Sequence, residues 1–334
     1  MIDTAALNEF LTKGFGRDVR LLSHEPMFGG WNSAMSKVVA DVGEGPTSMV
    51  LRGDLSAPDR LVTTDLSIEW AVLCALTGQP VAVAPIAYFA DLSGEQLGQP
   101  AMLTEFVDGA SLQLAALTSL PETHGALADG LAGLAARIHS VDVASLPTSL
   151  EVPSDWDTYI DGRLAQWREL EAAWIERDPA MRYVAAWLAD HRPLPLPLTL
   201  VHGDFHMSNT IVTLDGDQLA VDWEFAHIGD PREDLGWSMI YESVSPPPLV
   251  TERQGRFCET YRQLTGFGEE HVNPAALDWF SLINLPYVME SMLPASQAAI
   301  NGASTSATLA MGLVMGAARH EHCMDVISSL ESVL

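Results

Sequence analysis

The chain has 334 residues, 48% of them hydrophobic, which is enough to bury a core across two lobes and excludes a disordered chain. Its 44 Asp and Glu against 17 Lys and Arg give a formal net charge of −27, which repels nucleic acid and anionic membranes and excludes both as partners. Such a balance keeps a protein soluble and favours a cationic ligand.

In chain order, Leu7 to Leu11 predicts a short helix. Met35–Asp41 and Ser48–Arg52 are β-prone runs split by Gly43-Glu44-Gly45-Pro46, a hairpin pattern. A Gly-containing turn, Phe28 to Ser33, precedes them. Leu66, Trp70, Leu73 and Leu76 recur at helical spacing, and Thr77-Gly78-Gln79-Pro80 ends that helix. Ala84–Ala90 and Ala101–Val107 read as two further strands. From Asp108 the pattern turns helical, with helices predicted over His124–His139, Trp156–Ala173 and Met181–His191. After a proline-rich break at 193–197 comes a short buried strand, Thr199–Val201. Thr210–Leu214 and Gln218–Asp222 flank Asp215-Gly216-Asp217 as a compact hairpin. Helices over Pro231–Tyr241, Thr251–Leu264, Pro274–Leu293 and Ser304–Leu330 close the chain. The fold class is therefore α+β: a small antiparallel-sheet lobe over residues 1–107 and a large, mostly helical lobe over 108–334.

Chemistry is densest around the second hairpin. The segment His202-Gly203-Asp204-Phe205-His206-Met207-Ser208-Asn209 has the spacing H-x-D-x-x-x-x-N, and Asp222-Trp223-Glu224 follows at hairpin distance. Phosphoryl transfer needs a carboxylate to accept the proton of an attacking hydroxyl, which suits Asp204. It also needs oxygen donors for Mg²⁺ against nucleotide phosphates, which suits Asn209 and Asp222. A hairpin joining those two residues places both at one end of two paired strands.

The run VHGDFHMSNTIV…LAVDWEFAHIGDPREDL resembles the aminoglycoside phosphotransferase and choline kinase-like family, whose fold is protein-kinase-like. The resemblance covers most of residues 20–240. It implies a phosphotransferase that moves the γ-phosphoryl group of ATP, with Mg²⁺, to a hydroxyl of a small molecule. The acceptor could be an alcohol, a phenol, a sugar or an aminoglycoside-like compound. It further implies a phosphate-covering loop at Gly29, Gly30, Asn32 and Ser33, and an adenine-binding hinge at Glu105-Phe106-Val107. Where the family carries a lysine on the third strand, this chain has Arg52, which keeps the charge and adds a planar fork. Only two lysines occur, Lys13 and Lys37, and Lys37 on the preceding strand is the other candidate for that role. Glu69 is expected to pair with the cation. His206, Glu224, Asp234 and Trp237 are expected on the acceptor side, and Asp234 is also a candidate contact of the catalytic loop.

Gly229-Asp230-Pro231-Arg232-Glu233 reads as a helix start, with Asp230 as cap and Glu233 closing a capping box. His202, Asp204 and His206 alternate, so a metal-dependent hydrolase built on those three is a second reading. An ATP-binding pseudokinase is a third, suggested by Arg52. Three cysteines, Cys74, Cys258 and Cys323, show no C-x-x-C spacing, which argues against a disulfide framework and fits a cytoplasmic protein. No signal peptide and no membrane-spanning run are expected.

Overall fold

A helix, α1 (Thr4–Phe15), opens the chain, with the Asp3 carboxylate accepting from the Ala6 amide and Gly16 at φ 62° closing its end. The structure is a computed structural model and describes residues 2–27, 33–54, 65–173, 179–243, 245–286 and 323–331. Strands β1 (Arg20–Pro26), β2 (Ser33–Asp41), β3 (Pro46–Asp54), β4 (Ala87–Asp91) and β5 (Ala101–Glu105) form one antiparallel sheet in the order β1-β2-β3-β5-β4. The β2–β3 turn has Gly43 and Gly45 at φ 98° and 106°, a conformation that favours glycine. Between β3 and β4 runs α2 (Leu66–Thr77), capped by Asp65 on the Ser67 amide.

Alternation along β3 positions the site. Met49 and Leu51 are buried with Leu7, Phe10 and Leu11 of α1. Val50 and Arg52 therefore face the opposite side of the sheet, where they line a cleft. Sequence patterning did not reveal β1, an edge strand whose residues are exposed or half-buried and whose place is set by its register on β2.

The rest of the described chain is mainly helical. After β6 (Gly109–Ser111) and α3 (Leu112–Thr118), the buried helix α4 (His124–His139) matches its predicted bounds, as does α5 (Trp156–Ala173). Then follow α6 (Pro179–Asp190), β7 (Thr199–Val201), β8 (Thr210–Thr213), β9 (Gln218–Ala220), β10 (His227–Gly229), α7 (Arg232–Glu242), α8 (Gln254–Thr265) and α9 (Pro274–Ile283). Strands β6, β8 and β9 form one small sheet, and β7 pairs with β10 in another. Of the predicted Pro274–Leu293 and Ser304–Leu330 helices, the parts within 287–322 lie outside the described residues. No helix of the described residues is long and apolar enough to cross a membrane.

Helix α7 is polar in sequence yet buried along nearly its whole length. Its charges are matched internally. The Arg232 guanidinium donates to both oxygens of Asp230 and to the His271 carbonyl, and it lies 4.7 Å from the Phe280 ring. The expected helix start is present in modified form: Asp230 accepts from the Arg232 amide, and Glu233 accepts from the Asp230 amide. These pairs let α7 pass under the loop that carries Asp204.

Candidate active site

The loop after β7 is held from below by one carboxylate. Asp234 is fully buried and accepts from the backbone amides of His202 (2.9 Å) and Gly203 (3.0 Å) and from His139 Nε2 (3.0 Å). Gly203 sits at φ 82°, and a Cβ there would meet the Phe225 carbonyl oxygen at 2.3 Å. Only glycine satisfies both constraints, which accounts for the H-G-D spelling.

That brace presents Asp204 to three donors. Its Oδ2 accepts from Asn209 Nδ2 at 2.7 Å, and its Oδ1 from Trp237 Nε1 at 2.6 Å. His206 Nε2 lies 3.3 Å from Oδ1. The His206 Nδ1 accepts from the Ser208 amide, so the proton of a neutral ring sits on Nε2, facing Asp204. The His206 ring stacks on Tyr241, centroids 3.7 Å apart and planes 7° from parallel. Burial opposes ionisation of Asp204, but the neighbouring His206 above all, with the Trp237 donor, outweighs it and holds the carboxyl at about 2.

Asn209 and Asp222 meet at one end of the β8–β9 hairpin. Thr210 pairs with Ala220, and the Val221 amide donates to the Asn209 carbonyl at 2.8 Å. Asp222 has φ 69°, the only non-glycine in the left-handed region among the described residues. Opposite it stands Arg52. Nη1 donates to Glu69 Oε1 (2.9 Å) and Asp222 Oδ1 (2.5 Å), and Nη2 to Glu224 Oε2 (2.7 Å). Burial drives the Glu69 carboxyl up to about 8 against the pull of Arg52, and the neighbouring Asp222 and Glu224 charges add to the rise.

Of the residues named from sequence, Arg52, Glu69, Glu105, Val107 and Asp222 line a single cleft, with a cavity of about 140 Å³ between the sheet and the β8–β9 hairpin. The Glu105 side chain is turned to the Ile86 amide (3.1 Å). Ser33 opens β2, whereas Gly29, Gly30 and Asn32 lie outside the described residues. Lys37 is directed elsewhere: its Nζ stands 3.6 Å from the Phe106 ring centroid. Glu224 was expected on the acceptor side and is instead hydrogen-bonded to Arg52. His202 does not join Asp204 and His206 in a coordination set. Its ring is fully buried against Trp223, with Nε2 on the Val221 carbonyl and Nδ1 accepting from the Asp204 amide. Among the described residues no three His, Cys, Asp or Glu side chains are grouped as a metal site.

The sequence profile of the phosphotransferase enzyme family matches residues 29–267, well over half of the chain and every element of the site described above. The chain belongs to that family. Mouse acyl-CoA dehydrogenase family member 10 is 32% identical over 187 residues, 54% of this chain and 17% of that protein, so the chain spans only a small part of that curated relative. Similar folds occur in a Ralstonia eutropha JMP134 protein assigned to the aminoglycoside phosphotransferases (TM-score 0.71, 21% identity, 97% of this chain and 99% of that one). They occur also in a thermostable mutant of an aminoglycoside phosphotransferase in ternary complex with ADP and hygromycin B (TM-score 0.62, 18% identity, 97% and 98%). A third is a choline/ethanolamine kinase family protein of Mesorhizobium loti (TM-score 0.57, 16% identity, 92% and 88%). These structural likenesses establish a protein-kinase-like phosphotransferase fold.

Within this phosphotransferase a second cavity, about 270 Å³, is bounded by Gly203, Trp237, Tyr159, Arg163, His227 and Asn284. Tyr159 donates to Glu233, which also pairs with Arg163 at 3.1 Å. Arg163, His227 and Tyr159 together hold the Glu233 carboxyl at about 2 despite its burial. The contact of Trp237 with Asp204 went unrecognised in the sequence, although a signal existed. Asp234, Trp237, Ser238 and Tyr241 fall at i, i+3, i+4 and i+7, one face of α7. All four touch the catalytic loop.

Proposed function

We propose that this phosphotransferase transfers the γ-phosphoryl group of ATP to a hydroxyl of a small molecule. The observation that carries this reading is the Asp204 carboxylate, kept ionised by Asn209, Trp237 and His206. The Asn209–Asp222 hairpin end lies beside it and leads to the Arg52 cleft.

Asp204 orients the acceptor hydroxyl. A carboxylate near 2 is a poor base towards a free alcohol, so it takes the proton late, once the oxygen has begun to bond to phosphorus. Arg52, steadied by Glu69, steadies the nucleotide phosphates. Asn209 and Asp222 are the residues that would hold Mg²⁺. Their oxygen donors suit a hard cation, and Asp222 and Glu224 beside one guanidinium leave negative charge for a cation to balance. Bound Mg²⁺ would neutralise charge on the phosphates, so most of the rate gain comes from alignment and charge compensation. The ADP and hygromycin B carried by one structural relative support a site that takes a nucleotide together with a small-molecule acceptor. The cavity beside Trp237 supports a small acceptor. Cys74, Cys258 and Cys323 form no disulfide among the described residues, which accords with a reducing cytoplasm.

An ATP-consumption screen over alcohols, phenols, sugars and aminoglycosides, with Mg²⁺ and ATP saturating, tests the reading. Acceptor-dependent ADP release is expected. Nucleotide binding with no turnover on any acceptor would instead identify a pseudokinase, and turnover without ATP a hydrolase. With the acceptor so identified, Trp237→Phe should lower kcat about tenfold, the worth of one charge-assisted hydrogen bond to Asp204. Its nucleotide affinity, read with a fluorescent ATP analogue, should stay as in the parent.

A further inference from the structure

Arg52 is shared by three acids, and the three are unequal. The side chains of Glu69 and Glu224 are 2% and 6% exposed, whereas that of Asp222 is 33% exposed. Two partners are thus built into the wall of the cleft, and one stands at its open side. The fork of the guanidinium is what allows this. Nη1 faces Glu69 and Asp222 while Nη2 faces Glu224, along two different edges of a rigid plane. A lysine ammonium is a single point on a flexible stem and cannot present two such edges. Glu224 therefore matches an arginine at position 52.

We infer that Glu224 is a positioning residue for Arg52: with Glu69 it anchors the guanidinium from two sides, so that Asp222 can leave Arg52 for a divalent cation without drawing the arginine after it. The inference rests on the functional reading above, in which Arg52 and Asp222 serve the nucleotide phosphates and Mg²⁺. The donor count is consistent with it. Nη1 carries two N–H groups, one on Glu69 and one on Asp222. Departure of Asp222 frees one N–H for a phosphate oxygen, while Glu69 and Glu224 keep the other contacts. Asp222 is also the residue on positive-φ backbone at the hairpin end, beside Asn209. In the rival assignment Glu224 is itself a metal ligand and its contact with Arg52 is incidental.

The two assignments separate in a double-mutant cycle of Arg52→Lys, Glu224→Gln and the double variant, read in two ways. The first readout is thermal unfolding of the protein free of nucleotide and metal. Arg52→Lys should lower Tm, because Glu224 loses this partner inside the wall, and adding Glu224→Gln should restore most of that loss. The second readout is binding of a fluorescent ATP analogue titrated with Mg²⁺. Glu224→Gln should weaken nucleotide binding about tenfold, as expected when a charge-assisted hydrogen bond that positions Arg52 is lost, and leave the Mg²⁺ midpoint within about twofold. Additive losses of Tm, or a Mg²⁺ midpoint raised about tenfold in Glu224→Gln with nucleotide affinity kept, would overturn the inference and make Glu224 a metal ligand or a structural acid. Parent protein that binds no nucleotide overturns the functional reading and this inference with it. Parent protein that binds nucleotide while the variants behave additively overturns the inference alone.

Discussion

Asp204→Asn lowers kcat about a thousandfold and leaves the affinity for a fluorescent ATP analogue within about twofold, because positioning plus proton acceptance by one side chain is worth roughly that much. The substitution is nearly isosteric, and unlike the backbone amides on Asp234 the Asn209 side-chain amide can turn to accept from the new NH₂ group while the new amide oxygen keeps the Trp237 donor, so the loss reports chemistry rather than collapse of the loop. The charge that disappears is the one to which all three donors point. A pH profile of the parent supplies the sign. A carboxyl held at about 2 is ionised throughout the neutral range, so kcat/KM should show no acid limb from Asp204 above about pH 4. An intact kcat in Asp204→Asn, measured with the acceptor found in the screen, would refute the proposed mechanism.

The second large effect is on stability. Asp234→Ala should cost about 3–5 kcal/mol, read by urea unfolding of the nucleotide-free protein, since it strands two backbone amides and one imidazole in a buried site. Asp234→Asn should recover little of this. Both carboxylate oxygens of Asp234 accept from amides, so one end of an asparagine would set an NH₂ group against an N–H. The active site should suffer as well, because the Gly203 backbone that presents Asp204 is tied to the same carboxylate. A loss below about 1 kcal/mol for Asp234→Ala would show that the loop is held by the β7–β10 pairing alone.

Much of this was legible in one dimension. The H-G-D-x-x-x-x-N spacing and the turn-bounded D-W-E name Asp204, Asn209 and Asp222 without a structure, because they match the catalytic-loop and metal motifs of kinase-like phosphotransferases, and the hairpin between them brings Asn209 and Asp222 to one end. The family's third-strand position and the scarcity of lysine single out Arg52 in the sequence, and the alternation of β3 then turns it away from the α1 core. Local signals of this kind survive because helix and strand periods repeat over a few residues.

The partners were another matter. The sequence by itself determined the fold class, and it named Arg52, Glu69 and Asp222, which the structure brings to one cleft. Tertiary structure alone decided that Glu224 serves Arg52, that Lys37 turns to Phe106, that Trp237 donates to Asp204, and that His202 is locked in the core. The reason is separation along the chain. Arg52 and Glu224 lie 172 residues apart, and a side chain's direction across such a gap is set by how α2, α7 and the two hairpins pack, which no local period encodes. The acidic excess met at the outset is resolved in the same way: at the cleft it becomes three acidic side chains shared by one arginine.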